Sequence, residues 1–232
     1  MKLKIGLLAL FLAFPALSLA DVVGVWAMKG GGQFKVSYKD DAHIRMDVEG
    51  GNYVLMAGAK TYMVMNQGGN LMAMDMDQMS GMMQSLGGMM NQQMGQVAKD
   101  HSAEDVSFKK TGKTETVSGY KGDVYRVEVK TARGVEAHEM VWSNHSDIAN
   151  LQKAFAKMGE RMAKIVQNPE MTKGMNFANQ QVKLMGAGGA LRYDQDMVIQ
   201  SVEKKSVPNS AYELPPGTSI MQIPAIPGMM GR

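Results

Sequence analysis

Along the first third of the chain, apolar and polar residues alternate in short runs separated by glycine and asparagine. Ile44, Met46 and Val48 alternate with His43, Arg45, Asp47 and Glu49, the period of a strand with one covered face. VVGVWAMK (22–29) and QFKVSYK (33–39) precede it, separated by the glycines at 30–32. YVLMA (53–57), TYMVMN (61–66) and LMAMD (71–75) follow, divided by Gly58-Ala59-Lys60 and by Gln67-Gly68-Gly69-Asn70. Short runs broken by such turns at regular spacing predict an antiparallel meander.

From about Asp75 the period changes. Met76, Met79, Met83, Leu86, Met90 and Met94 step by three or four and predict one face of a helix. Gly81, Gly87 and Gly88 interrupt that stretch, each costing about 1 kcal/mol relative to alanine in a helix interior. The helix is therefore written in the pattern but weak in propensity. Strand character returns at 106–109, 115–117, 123–131 and 135–143, with a hairpin around Ser118–Asp123. Ile148, Leu151, Phe155, Met158, Met162 and Ile165 mark a second helix over 147–166, which Ser146 or Asp147 can cap and Asn168-Pro169 ends. Runs at 181–186, 190–195 and 197–207 predict three more strands. Five of the seven prolines fall in the last 25 residues, predicting an extended tail poor in regular structure. These elements make one α+β domain: an antiparallel β-sheet with one helix inserted after its first half and another after its second.

The N-terminus changes the picture of where the chain works. Lys2 and Lys4 precede a short apolar run from Ile5 to Phe14, and Ser18 and Ala20 are small residues ahead of Asp21. This is the layout of a signal peptide cleaved after Ala20, which predicts a soluble periplasmic protein with no stable transmembrane segment after cleavage. The expected organisation is a signal peptide at 1–20, a single domain at 21–207 carrying a Met-rich helical insert at 72–96, and a Pro-rich extended tail at 208–232.

Composition narrows the chemistry. The chain has 25 Lys and Arg against 22 Asp and Glu, and loss of Lys2 and Lys4 leaves a net charge of +1. No basic cluster marks a nucleic-acid footprint. Cysteine is absent, which removes thiol catalysis, zinc–thiolate sites and structural disulfides. His43, His101, His138 and His145 show no metal-ligand spacing and fit exposed surface. No nucleophile–base or paired-carboxylate constellation presents itself, so the expectation is a protein that is not an enzyme. The basic face of helix 147–166 reads as a solvated face, with attraction to anionic lipid headgroups as the alternative.

The methionines remain. There are 25 in the chain and nine between residues 72 and 94. Methionine can fill a core as leucine does, and apparent core positions such as Met46, Met63, Met158 and Met162 show that habit. It can also line a pliable apolar binding surface, for which Met76, Met79, Met83, Leu86, Met90 and Met94 are the candidates. A thioether is further a soft ligand for Cu(I), and Met72, Met74, Met76, Met79, Met82 and Met83 are the candidate set for that, or for oxidant scavenging. The preferred expectation is a non-enzymatic binding or chaperone-like protein for an apolar ligand or acyl chain, with a lipid or lipoprotein as partner and no cofactor. Cu(I) belongs to the alternative.

The phrase TGKTETVSGYKGDVYRVEV (111–129), the VWS ending at Ser143, the ALRY segment and SVPNSAYELPPG (206–217) resemble an exported bacterial family catalogued as domain of unknown function 4412. That family looks like the periplasmic lipoprotein-carrier and sorting group. The resemblance implies a curved, half-open antiparallel β-sheet wrapped over the inserted helices, and it supplies no catalytic residues.

Overall fold

A computed structural model describes residues 20–78, 105–131, 134–166, 181, 183 and 185–221. Its described residues form mostly strand. β1 (Asp21–Met28), β2 (Gln33–Asp40), β3 (His43–Val48), β4 (Tyr53–Ala57), β5 (Lys60–Gln67) and β6 (Asn70–Asp75) make the expected meander. β7 (Asp105–Val117), β8 (Tyr120–Thr131) and β9 (Gly134–Ser143) follow, then helix α1 (Ser146–Val166). β10 (Gly189–Tyr193), β11 (Met197–Lys205) and a two-residue β12 (Ser219–Ile220) are the remaining strands among the described residues.

All twelve strands belong to one open sheet in the order β12-β6-β5-β4-β3-β2-β1-β11-β10-β9-β8-β7. Every pairing is antiparallel except β12 against β6, which is parallel. The two halves of the chain meet where β1 pairs with β11, and α1 lies across that seam in contact with β1, β2 and β10. The sheet is curled. Ser118, in the β7–β8 turn, donates its hydroxyl to the carbonyl of Ile199 on β11 at 2.7 Å, although β8, β9 and β10 lie between those strands in the sheet order.

The core forms where α1 meets the sheet. Ile148, Leu151, Ala154 and Met158 of the helix pack with Val22, Trp26, Val36, Ile44, Leu191 and Ile199. Trp26 stacks on Phe34 with ring centroids 5.2 Å apart, and Phe155 of α1 meets both rings edge-on. Gly24 allows this close approach, since a Cβ there would lie 2.7 Å from Leu151 Cδ1 and from the Trp26 ring.

Three sequence expectations change. Residues 181, 183 and 185 are helical, so the run at 181–186 is not a strand. Its Gln181 side chain bonds Gln152 of α1 at 2.9 Å, and burial of that amide pair favours a helix against a helix. The separate strands at 106–109 and 115–117 are one strand whose register shifts between Lys110 and Thr114. The proline-rich tail adds a 3-10 turn at Asn209–Tyr212 and the β12 contact, and it packs across the outer face of β3–β6. There Leu214 packs against a buried cluster of Tyr53, Leu55, Val64 and Ala73. Tyr212, also buried, donates to Asp21 at 2.9 Å.

Candidate ligand-binding face

Strand alternation and register give the sheet two unlike faces between β2 and β6. The outer face carries Tyr53, Leu55, Tyr62, Val64, Leu71 and Ala73, closed over by the tail. The inner face is the one α1 sits on. Reading across the paired strands, Val36, Met46, Val54, Met63 and Met74 form one transverse row on this face. Phe34 stands opposite Val48, and Met65 opposite Met72, in the row beside it.

Helix α1 covers only part of this face. At its C-terminal half Arg161 donates to the carbonyls of Gly58 at 2.8 Å and Ala59 at 2.6 Å, in the β4–β5 turn. Lys153 pairs with Asp41 at 2.7 Å, in the β2–β3 turn. The helix is thus fastened along one edge of the inner face. Val36 beneath it is fully buried, whereas Phe34, Met46, Val54, Met63, Met65, Met72 and Met74 are only half-buried. At that margin lies an open cavity of about 370 Å³ lined by Met28, Phe34, Met46, Val48, Glu49, Gly32 and Gln33. Met28 is 51% exposed and Val48 44%, a large apolar outlay for surface positions.

The Met-rich segment begins in view and then leaves it. β6 ends at Asp75, whose carboxylate accepts the Asp77 N–H at 3.0 Å and receives Lys60 Nζ at 2.8 Å. An acceptor in that position caps a helix start, and residues 76–78 are helical. Met72 and Met74 share the inner face of β6, while Met76 stands past the strand end and is buried. The remaining predicted residues, Met79, Met82, Met83, Leu86, Met90 and Met94, lie outside the described residues.

Two inner-face methionines stood outside the candidate site sets: Met63, read from the sequence as core filler, and Met65. Their signal was available. Gly68 and Gly69 both take positive φ, 63° and 95°, as a two-residue hairpin turn of this kind requires. Such a turn fixes the register, pairing Met65 with Met72 and Met63 with Met74.

A second cavity of about 430 Å³ opens beside the β7–β8 turn and the start of α1, lined by Tyr120, Lys121, Asp123, Ser143, Asn144 and His145 among others. Its groups are largely satisfied: Tyr120 meets the His145 ring edge-on, Ser143 donates to Lys121 O, and Asp123 pairs with Lys110. The described histidines do not converge. His43 bonds Asp40 at 2.8 Å, and His138 bonds Asp194 at 2.7 Å. Burial works against the charge of Asp194, but the Glu139 N–H and His138 hold its carboxyl below the usual range. Burial and the neighbouring Asp194 push the Tyr193 hydroxyl up to about 12. Among the described residues no three His, Cys, Asp or Glu side chains are placed to hold a metal. None of the described helices is long and apolar enough to cross a membrane.

An open antiparallel sheet curled against a helix, with an apolar inner face left partly bare, defines the class of this protein. The chain belongs to the family described as domain of unknown function (DUF4412), whose family model matches residues 26–218. Comparisons with curated proteins and with solved structures return no match.

Proposed function

We propose that this is a periplasmic, non-enzymatic binding or chaperone-like protein that holds an apolar ligand, the acyl chain of a lipid or lipoprotein, on the inner face of β2–β6. The observation that carries the reading is the contrast between the two faces of these strands. The outer face is closed by the tail, while the inner face carries a contiguous half-buried apolar surface beyond the margin of α1. Apolar area left to water is a standing cost of about 25 cal/mol per Å², which a bound chain would recover. Methionine suits a chain of variable shape, because its unbranched side chain repacks readily. A lipoprotein-carrier architecture, which the resemblance in the sequence implies, would serve the same end.

The test is a titration of the purified protein with a fluorescent fatty acid, beside mass spectrometry of lipid extracted from protein made in a bacterial host. Saturable binding is expected, weakened at least tenfold by Met46→Glu or Met63→Glu, which place a carboxylate on the inner face. A protein that carries no lipid and leaves the probe unbound overturns the proposal.

A further inference from the structure

Methionine is not spread evenly over the β5–β6 hairpin. The outer face of the two strands holds Tyr62, Val64, Leu71 and Ala73. The inner face holds Met63, Met65, Met72 and Met74, all half-buried. Strands favour β-branched and aromatic residues, and the outer face largely follows that preference. A general habit of filling space with methionine would place it on both faces. Its confinement to one face points to a use for the thioether.

Register supplies the geometry. Met63 stands directly opposite Met74, and Met65 directly opposite Met72. Directly opposed residues of an antiparallel pair have Cβ atoms about 4.5–5.5 Å apart. Same-face neighbours along a strand are about 6.8 Å apart. Each sulfur sits on a flexible arm two bonds beyond its Cβ, so three or four of them can close on one ion above the hairpin. Thioethers are soft and neutral and need lose no proton to bind, which selects Cu(I) over the harder divalent ions. The flanking inner-face residue on β4 is Val54, opposite Met63, and Asn52 just ahead of that strand commits its Oδ1 to the Asn66 N–H at 3.0 Å.

We propose that Met63, Met65, Met72 and Met74 form a thioether site for Cu(I). It differs from the candidate set drawn from the sequence by gaining the two β5 methionines and by needing nothing past β6. It goes beyond the apolar-ligand reading and is separable from it, because Cu(I) affinity and fatty-acid binding are read from the wild-type protein in separate titrations.

The experiment is an anaerobic titration of the purified protein with Cu(I) in competition with a colorimetric cuprous chelator. The wild type is expected to withdraw one equivalent, and M63L/M65L/M72L/M74L to lose at least tenfold in affinity while keeping the wild-type circular dichroism spectrum and melting transition. X-ray absorption of the wild-type complex is expected to show sulfur alone around copper. Failure of the wild type to compete, retention of affinity in the leucine variant, or a first shell dominated by nitrogen or oxygen overturns the site. If the quadruple variant does not fold, M63L/M74L and M65L/M72L carry the test, each expected to weaken binding, and unchanged affinity in both overturns it. The acyl-chain reading stands or falls on the probe alone, so the two failures are told apart.

Discussion

Arg192 shows how a single residue can be bound to the fold by charge. Its side chain is buried on β10, inside the ALRY segment. It donates twice to Glu115 of β7, at 3.0 and 2.7 Å, and also to Glu139 of β9 and to the Asp194 carbonyl at 3.0 Å. Those carboxylates raise its already high pKa further. The partners are unequal in burial: Glu115 and Glu139 side chains are 38% and 50% exposed, against 9% for Arg192. Removing the arginine therefore leaves two acids that water can take up. Neutralising the acids leaves a buried cation with weakened compensation. We expect Glu115→Gln with Glu139→Gln to cost about 3 kcal/mol and Arg192→Met about 1 kcal/mol, read from urea unfolding. The reverse order would mean that Arg192 holds β10 through the packing of its stem.

Helix α1 is the element on which the inner face depends, and its fastening is partly titratable. Lys153, followed by the Tyr38 hydroxyl at 2.7 Å, holds the Asp41 carboxyl below the usual carboxylate range, against the opposing effect of burial. A carboxyl lowered in the folded state stabilises it fully above the unfolded pKa, near 3.9, and loses that contribution as pH falls through the folded value. The pair is about half exposed, so its worth is that of a surface pair, about 0.2–1 kcal/mol. Stability should fall as pH drops from 5 to below 3, and Asp41→Asn should remove that much of the slope while leaving the Arg161 contacts in place. A slope unchanged in the variant would place the acid sensitivity in Asp40 or Asp194, both also lowered. This helix was legible in the sequence because it has one covered face, so period and burial coincide, and the six-strand meander because glycine and asparagine turns cut its apolar runs at regular spacing. YVLMA is a strand over the stretch its pattern marks. The run at 181–186 was not legible, since its partner Gln152 is distant in sequence and a short apolar run fits either period. For the site, the methionines of β6 were visible by their density. Met63 and Met65 were hidden because sulfurs on different strands are related by register, which only pairing across the Gly68-Gly69 turn reveals.

At the scale of the whole molecule the sheet has two ends, and the chain treats them differently. β7 is thirteen residues long and ends the sheet with Lys109, Lys110 and Lys113 along it, the charged kind of edge that discourages pairing with another chain. β6, at the other end, reads Leu71-Met72-Ala73-Met74 and carries no charge until Asp75. An edge of that composition is a pairing hazard, and the tail covers it: β12 lies parallel to Met72–Ala73, and the Met221 N–H donates to the Ala73 carbonyl at 2.8 Å. The tail is anchored elsewhere, by buried Tyr212 and by Leu214 against the outer face, so edge cover and anchorage can be separated. Met221→Pro removes the donor without touching the anchor; it should change the melting temperature by no more than about 4 °C, the effect of roughly 1 kcal/mol in a chain of this size. It should nonetheless yield concentration-dependent self-association by light scattering. Tyr212→Ala should do the opposite first, costing about 3–5 kcal/mol as other large aromatic truncations do. A Met221→Pro protein that stays monomeric at high concentration would show that β6 is guarded by something other than the tail. β6 also carries Met72 and Met74, half-buried on its inner face, and with its backbone edge shielded by β12 the same strand can present its sulfurs without recruiting a second copy of the chain.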